Sequence, residues 1–162
     1  MHKIALFFIG ILSLLAAGAQ AQPSGGDAEL GRGRYLVATS GCNDCHTAGY
    51  MQQNGQVPEA EWLTGDRIGW QGAWGTTYAA NLRLLFQQID EKTWLERARQ
   101  AMRPPMPTPS LRAMTDADPR AIYRYVRSLG AKGQPAPAYV PPGGTVKTPY
   151  FDLTPKNLAA GP

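Results

Sequence analysis

The 162-residue chain reads as an all-α domain with long ordered loops and an extended, proline-rich C-terminal tail. Three observations carry that reading. Helical segments with capping residues in place begin near Asp27, Asp90 and Asp118. The stretch from Gly41 to Ala80 keeps no sustained hydrophobic period. Residues 131–162 hold seven prolines, too many for further helices or a strand ladder.

The chain opens with Lys3 ahead of an apolar run from Ile4 to Ala17 and a small-x-small sequence, Ala19-Gln20-Ala21. That is the pattern of a secretory signal peptide over residues 1–21. The run falls short of the roughly 20 residues that cross a hydrocarbon core, so a stable membrane anchor is not expected. With no cysteine near the cleavage site, lipid attachment has no acceptor, and in a bacterium the mature chain is expected in the periplasm.

Cleavage leaves 15 basic against 12 acidic residues, a net charge of +3. The arginines are scattered from Arg32 to Arg127 instead of forming one cluster, which argues against nucleic-acid binding. A solvated surface accounts for them, as does a basic rim that steers docking onto an acidic redox partner.

After a flexible lead-in at 22–28, the first helix runs from Asp27 as N-cap through about Thr39. Residues 41–80 read as ordered loop, and 81–88 as ambiguous. Asp90 caps a short helix over 91–99, which the prolines at 104, 105, 107 and 109 end. The last helix starts at Asp118 as N-cap with Pro119 at the first helical position, and Gly130 stands where a C-terminal cap belongs. The domain proper is 29–130 and the tail 131–162.

The mature chain has two cysteines, both in Cys42-Asn43-Asp44-Cys45-His46. A Cys-x-x-Cys-His run is the attachment signature of c-type haem. The two thiols add to the porphyrin vinyl groups as thioethers, and the adjacent imidazole is then held under the iron. A thioredoxin-like dithiol would want a strand before the motif, where Gly31 to Thr39 reads as helix. A zinc site needs four ligands, and the mature chain offers no other Cys or His. A plain disulfide suits an oxidising compartment but gives His46 no role. One covalent haem c is therefore the expected cofactor.

Because His2 leaves with the signal peptide, a second histidine ligand is impossible within the chain and methionine is expected at the sixth position. Met51 lies too close to His46 in sequence, and Met114 suits packing at the entry to the last helix. Met106 sits in Pro104-Pro105-Met106-Pro107-Thr108-Pro109, where prolines fix the backbone and present a thioether at low entropic cost. His46 and Met106 are the expected iron ligands, with Met102 as runner-up.

These features resemble class I cytochromes c over roughly residues 30–145. The likeness is to small proteobacterial cytochromes and to haem domains of periplasmic alcohol and aldehyde dehydrogenase subunits. It is carried by Gly33-Arg34-Tyr35-Leu36, the haem motif, Trp74 to Arg83, Met106-Pro107, and Met114-Thr115-Asp116 leading to Ile122-Tyr123-Arg124-Tyr125. The resemblance implies a cytochrome c fold in which the N- and C-terminal helices cross beside one haem, Gly33 allowing close approach with Tyr125 packed near it. Asp118-Pro119 departs from the family pattern, which usually has an acid followed by an aliphatic residue.

The aromatic loop is expected to border the haem. Trp70, Trp74 and Tyr78 carry donors for the propionates, Arg83 carries a charge that would neutralise one, and Asn81 is a similar case; filling the core around the macrocycle is the other role open to them. The function expected is single-electron transfer between redox proteins, not enzymatic catalysis, because two filled axial positions leave iron no site for substrate. A haem-carrying subunit of a dehydrogenase, with the tail as docking segment, and a gas sensor with a labile sixth ligand are the alternatives.

Overall fold

The computed structural model describes residues 25–157, so the expected signal peptide at 1–21, residues 22–24 of the lead-in and the last five residues of the tail lie outside the described residues. The elements in order are helices α1 (Gly25–Thr39) and α2 (Cys42–His46), strands β1 (Gly69–Gly72) and β2 (Gly75–Tyr78), helices α3 (Leu82–Gln88), α4 (Glu91–Ala98), α5 (Thr108–Ala113) and α6 (Ala117–Ser128), and strand β3 (Tyr150–Asp152).

Helix α1 starts at Gly25, so Asp27 stands in its first turn, where a carboxylate complements the helix dipole, and does not cap it. Gly33, Leu36 and Val37 form its buried face, at the spacing that places side chains on one side of a helix. This face packs on α6, whose apolar stripe is Ala121, Ile122, Tyr125 and Val126. The closest approach is at Gly33. A Cβ there would stand 2.1 Å from Ala121 O and 2.6 Å from Tyr125 Cβ, so only glycine fits.

The start of α6 differs from expectation. The helix begins two residues earlier, at Ala117, and Asp118 turns back to accept from Thr115 N–H at 3.0 Å and from Thr115 Oγ1 at 2.8 Å. Arg32 of α1 donates to the same carboxylate through Nε and Nη2. Pro119 is then the third helical residue, still within the first turn, where an N–H has no intrahelical partner to lose. Gly130 follows the helix with φ +71°, as its position suggested.

Asp90 caps α4 as read, accepting from Thr93 N–H at 2.8 Å. Residues 82–88 resolve to helix, capped by Asn81, whose Oδ1 accepts from Leu84 N–H at 3.0 Å. These helices bury Phe86 between the rings of Trp94, 4.6 Å away, and Tyr123, 5.3 Å away. Trp94 Nε1 finds Pro119 O at 2.7 Å and Tyr123 Oη finds Ile89 O at 2.9 Å, so the polar ends of both rings are satisfied.

The all-α expectation is corrected by a small three-stranded sheet, order β2-β1-β3, within a mostly helical fold. β1 and β2 form an antiparallel hairpin in which Trp70 pairs with Thr77. Gly75 takes φ +94° in the turn, which few other residues adopt, and a Cβ there would also strike Val140 O at 2.3 Å. β3 pairs with β1 in parallel, Gly69 opposite Tyr150. The tail therefore contains a strand where none was expected, Tyr150–Asp152, set between Pro149 and Pro155.

Outside this strand the described part of the tail has no helix, turns once at 141–144, and is bound to the domain at several points. Asn81 Nδ2 donates to Lys132 O at 2.7 Å and Gln134 O at 3.2 Å. Thr76 and Val140 exchange both backbone hydrogen bonds, and Gly69 N–H donates to Pro149 O. Tyr78 Oη and Thr148 Oγ1 share a hydrogen bond of 2.7 Å.

Candidate functional site

Gly41, at φ +74°, separates α1 from the single turn α2. Within that turn Cys42 and Cys45 are three residues apart and share one helical face. Beneath them Asn43 and Thr47 are fully buried and anchor the turn: Thr47 Oγ1 donates to Asn43 Oδ1 at 2.8 Å and accepts from Leu63 N–H at 2.8 Å. His46 closes the turn, and its backbone carbonyl accepts from Gly65 N–H at 2.8 Å.

The His46 ring is oriented from the other side. Its Nδ1 lies 2.7 Å from Ala80 O, and since a carbonyl only accepts, Nδ1 carries the proton and Nε2 keeps its lone pair for a metal. Burial disfavours the imidazolium and lowers the pKa, outweighing the hydrogen bond to Ala80, which raises it. The neutral ring is the ligating form. Burial pushes the Cys42 thiol up to about 11 and raises that of Cys45, so neither is poised as the thiolate that dithiol redox chemistry requires.

Cys42, Cys45 and His46 line one wall of a cavity of about 700 Å³. Its other walls come from the hairpin through Trp70 and Tyr78, from α3 through Leu82 and Leu85, and from the loop bearing Met102 and Met106. Two thiols on one helical face, an imidazole with a free Nε2, an apolar enclosure of ligand size and thioethers in the lining fit a covalently attached haem.

The Cytochrome c family model matches residues 30–130. The chain belongs to the cytochrome c family. Covalent haem c with its iron is accordingly its cofactor. Neither a curated protein nor a solved structure matches the chain significantly.

Against this cytochrome c site the sequence-predicted residues divide. Met102, Met106 and Met114 all line the cavity, whereas Met51 does not and is 44% exposed. Trp70 and Tyr78 stand on the wall, the former stacked on Phe151 at 5.0 Å and the latter with its hydroxyl engaged by Thr148. Trp74, Asn81 and Arg83 are not on it. Trp74 folds over Gly72. Asn81 spends its amide on capping α3 and holding the tail.

Arg83 is the plainest correction. Helix α3 turns it toward the end of α6, where Nε donates to Gly130 O at 2.7 Å, Nη1 to Ala60 O at 2.8 Å, and Nη2 to Leu129 O. It is buried against carbonyls that terminate a helix and is not available to a propionate. The cations that do reach the cavity are Arg97 and Arg103, which sequence reasoning passed over. Arg97 was legible in part, three positions after buried Trp94 on one helix. Pro137 and Tyr139, cavity residues contributed by the tail, carried no local signal.

Proposed function

We propose that this chain is a periplasmic monohaem carrier of single electrons, with thioethers to Cys42 and Cys45 and with His46 and Met106 as axial ligands. The observation that carries the reading is the meeting of the Cys42–His46 turn and the Met106 loop in one cavity. Haem c supplies one-electron cycling of iron. The chain's part is to hold the ring, to fill both axial positions so that no substrate site remains, and to surround the macrocycle with apolar walls. A neutral thioether ligand and burial both favour the reduced state and raise the potential.

His46 is held against rotation by Ala80 O, which also raises the basicity of its ligating nitrogen. Among the methionines on the wall, Met106 has the stiffest setting: its N–H donates to Arg103 O at 3.2 Å and its carbonyl accepts from Thr108 N–H at 2.8 Å, between prolines on both sides. The partners are redox proteins that donate and accept single electrons. The tail is bound to its own domain from Lys132 to Leu153, which supports a free carrier over a dehydrogenase subunit that would use the tail as a docking segment. No helix among the described residues is long and apolar enough to cross a membrane.

The test joins three measurements on protein purified from a periplasmic extract. Mass spectrometry should give a chain beginning at Gln22 with one haem added, and haem should stay with the denatured protein. The oxidised protein should show the weak near-infrared sulfur-to-iron band. Met106→Ala should abolish that band and open the ferrous iron to carbon monoxide, while Met51→Ala and Met114→Ala keep it. Loss of the band in Met102→Ala with retention in Met106→Ala would reassign the ligand.

A further inference from the structure

The residues of the tail lie beyond the family-matched span, yet two of them are part of the cavity. Tyr139 is the better placed. Arg103 lies over its ring with the guanidinium carbon 4.1 Å from the centroid, against 5.4 to 5.9 Å for the other cation–π contacts among the described residues. On the far side its Oη donates to Trp74 O at 2.7 Å, and the adjacent Val140 is fixed to Thr76 by two backbone hydrogen bonds. Tyr139 is therefore held by the hairpin and in turn holds Arg103.

Arg103 begins the turn that carries the methionine. Its carbonyl accepts from Met106 N–H, and the next carbonyl, that of Pro104, accepts from Thr77 Oγ1 at 2.6 Å. The loop is thus gripped at two successive residues, by the hairpin through Thr77 and by the tail through Tyr139. Arg103 has no carboxylate partner among the described salt bridges, so the ring is its principal contact.

We infer that Tyr139 is a positioning residue for the Met106 loop: by stacking on Arg103 it keeps the thioether on the iron, so that a tail outside the common domain sets how readily the sixth ligand lets go. The inference rests on the reading of Met106 as that ligand. Tyr139 acts through Arg103. A cation–π contact at a partly exposed site together with one hydrogen bond is worth roughly tenfold in a loop-opening equilibrium.

The test is carbon monoxide binding to the ferrous holoprotein by rapid mixing, where detachment of the methionine limits the rate. Tyr139→Ala should bind about tenfold faster, and Tyr139→Phe, which keeps the stacked ring but loses the hydrogen bond to Trp74 O, should be accelerated by only about threefold. Arg103→Gln, which leaves the tail untouched, should reproduce the acceleration and carries the test should Tyr139→Ala fail to fold. Phe151→Ala, which loosens the tail at β3 instead, should leave the rate unchanged. An unchanged rate in Tyr139→Ala, equal acceleration in Tyr139→Phe, or equal acceleration in Phe151→Ala would overturn the assignment. The sulfur-to-iron band in Met106→Ala separates the two readings: its retention removes the ligand assignment and this inference with it, whereas its loss beside an unchanged Tyr139→Ala rate removes this inference alone.

Discussion

Replacing Gly33 by alanine probes the contact that joins the two ends of the domain. The added Cβ would stand 2.1 Å from Ala121 O, 2.7 Å from Ala121 C and 2.6 Å from Tyr125 Cβ, none of which can rotate out of the way. Ordinary carbon contacts are about 3.5–4.0 Å, so α1 and α6 would have to part by about 1.4 Å along this line. Overpacking of this kind costs about 1–3 kcal/mol or more, and the gain in helix propensity on replacing glycine returns about 1 kcal/mol. The net expectation is a loss of about 2 kcal/mol, or about 8 °C in Tm for a chain of this size. Denaturant and thermal unfolding followed by far-ultraviolet circular dichroism measure it, with the haem covalently retained throughout. Gly31 supplies the control in the same helix: nothing lies within 4 Å of its would-be Cβ, so Gly31→Ala should stabilise by up to about 1 kcal/mol. Opposite signs at the two positions are required. A neutral or stabilising Gly33→Ala would refute the close approach of α1 to α6.

The hydrogen bond from Thr115 and the Arg32 guanidinium hold the Asp118 carboxyl below its ordinary value, so its contribution is complete above the unfolded pKa of about 3.9 and is lost as pH falls through the lower folded value. Asp118→Asn should therefore cost about 1 kcal/mol at neutral pH in urea unfolding, and the gap to wild type should close on acidification below about pH 3.9. For Asn81, the aspartate variant keeps the α3 cap but sets a carboxylate against Lys132 O and Gln134 O. Asn81→Asp should then lose about 2 kcal/mol, no less than Asn81→Ala, and amide exchange should rise in residues 132–140; an Asp variant as stable as wild type would sink the tether.

Helices α1, α4 and α6 and the haem turn were legible because their signals are local, whereas α5, which starts inside the proline cluster at Thr108-Pro109, was not read. Asp90 with Thr93, and Gly130 after α6, are decided by residues within one turn of each other. The Cys42–His46 run needs no partner elsewhere in the chain to declare its chemistry. The sheet was not legible for two reasons: β1 buries only Gly69, so no alternation marks the hairpin, and the parallel partner of β1 begins far along the chain at Tyr150. Arg83 misled for a related reason. Its neighbours in sequence, Thr77 to Ala80, line the cavity, but the Asn81 cap starts a helix that rotates Arg83 toward the end of α6. The methionines remained ambiguous on the wall itself, where Met102, Met106 and Met114 all stand, because spacing alone cannot say which sulfur a loop delivers.

The parallel pairing of β1 with β3 also bears on the order in which the molecule can be completed. A chain that emerges from its N-terminus presents the haem turn first, the methionine loop some sixty residues later and the strand that closes the sheet last of all. Closure over so long a separation is the slow kind of contact, since the loop entropy is spent before the pairing returns anything. The haem turn thus emerges well before Pro137 and Tyr139, the last residues in chain order to join the wall of the cavity.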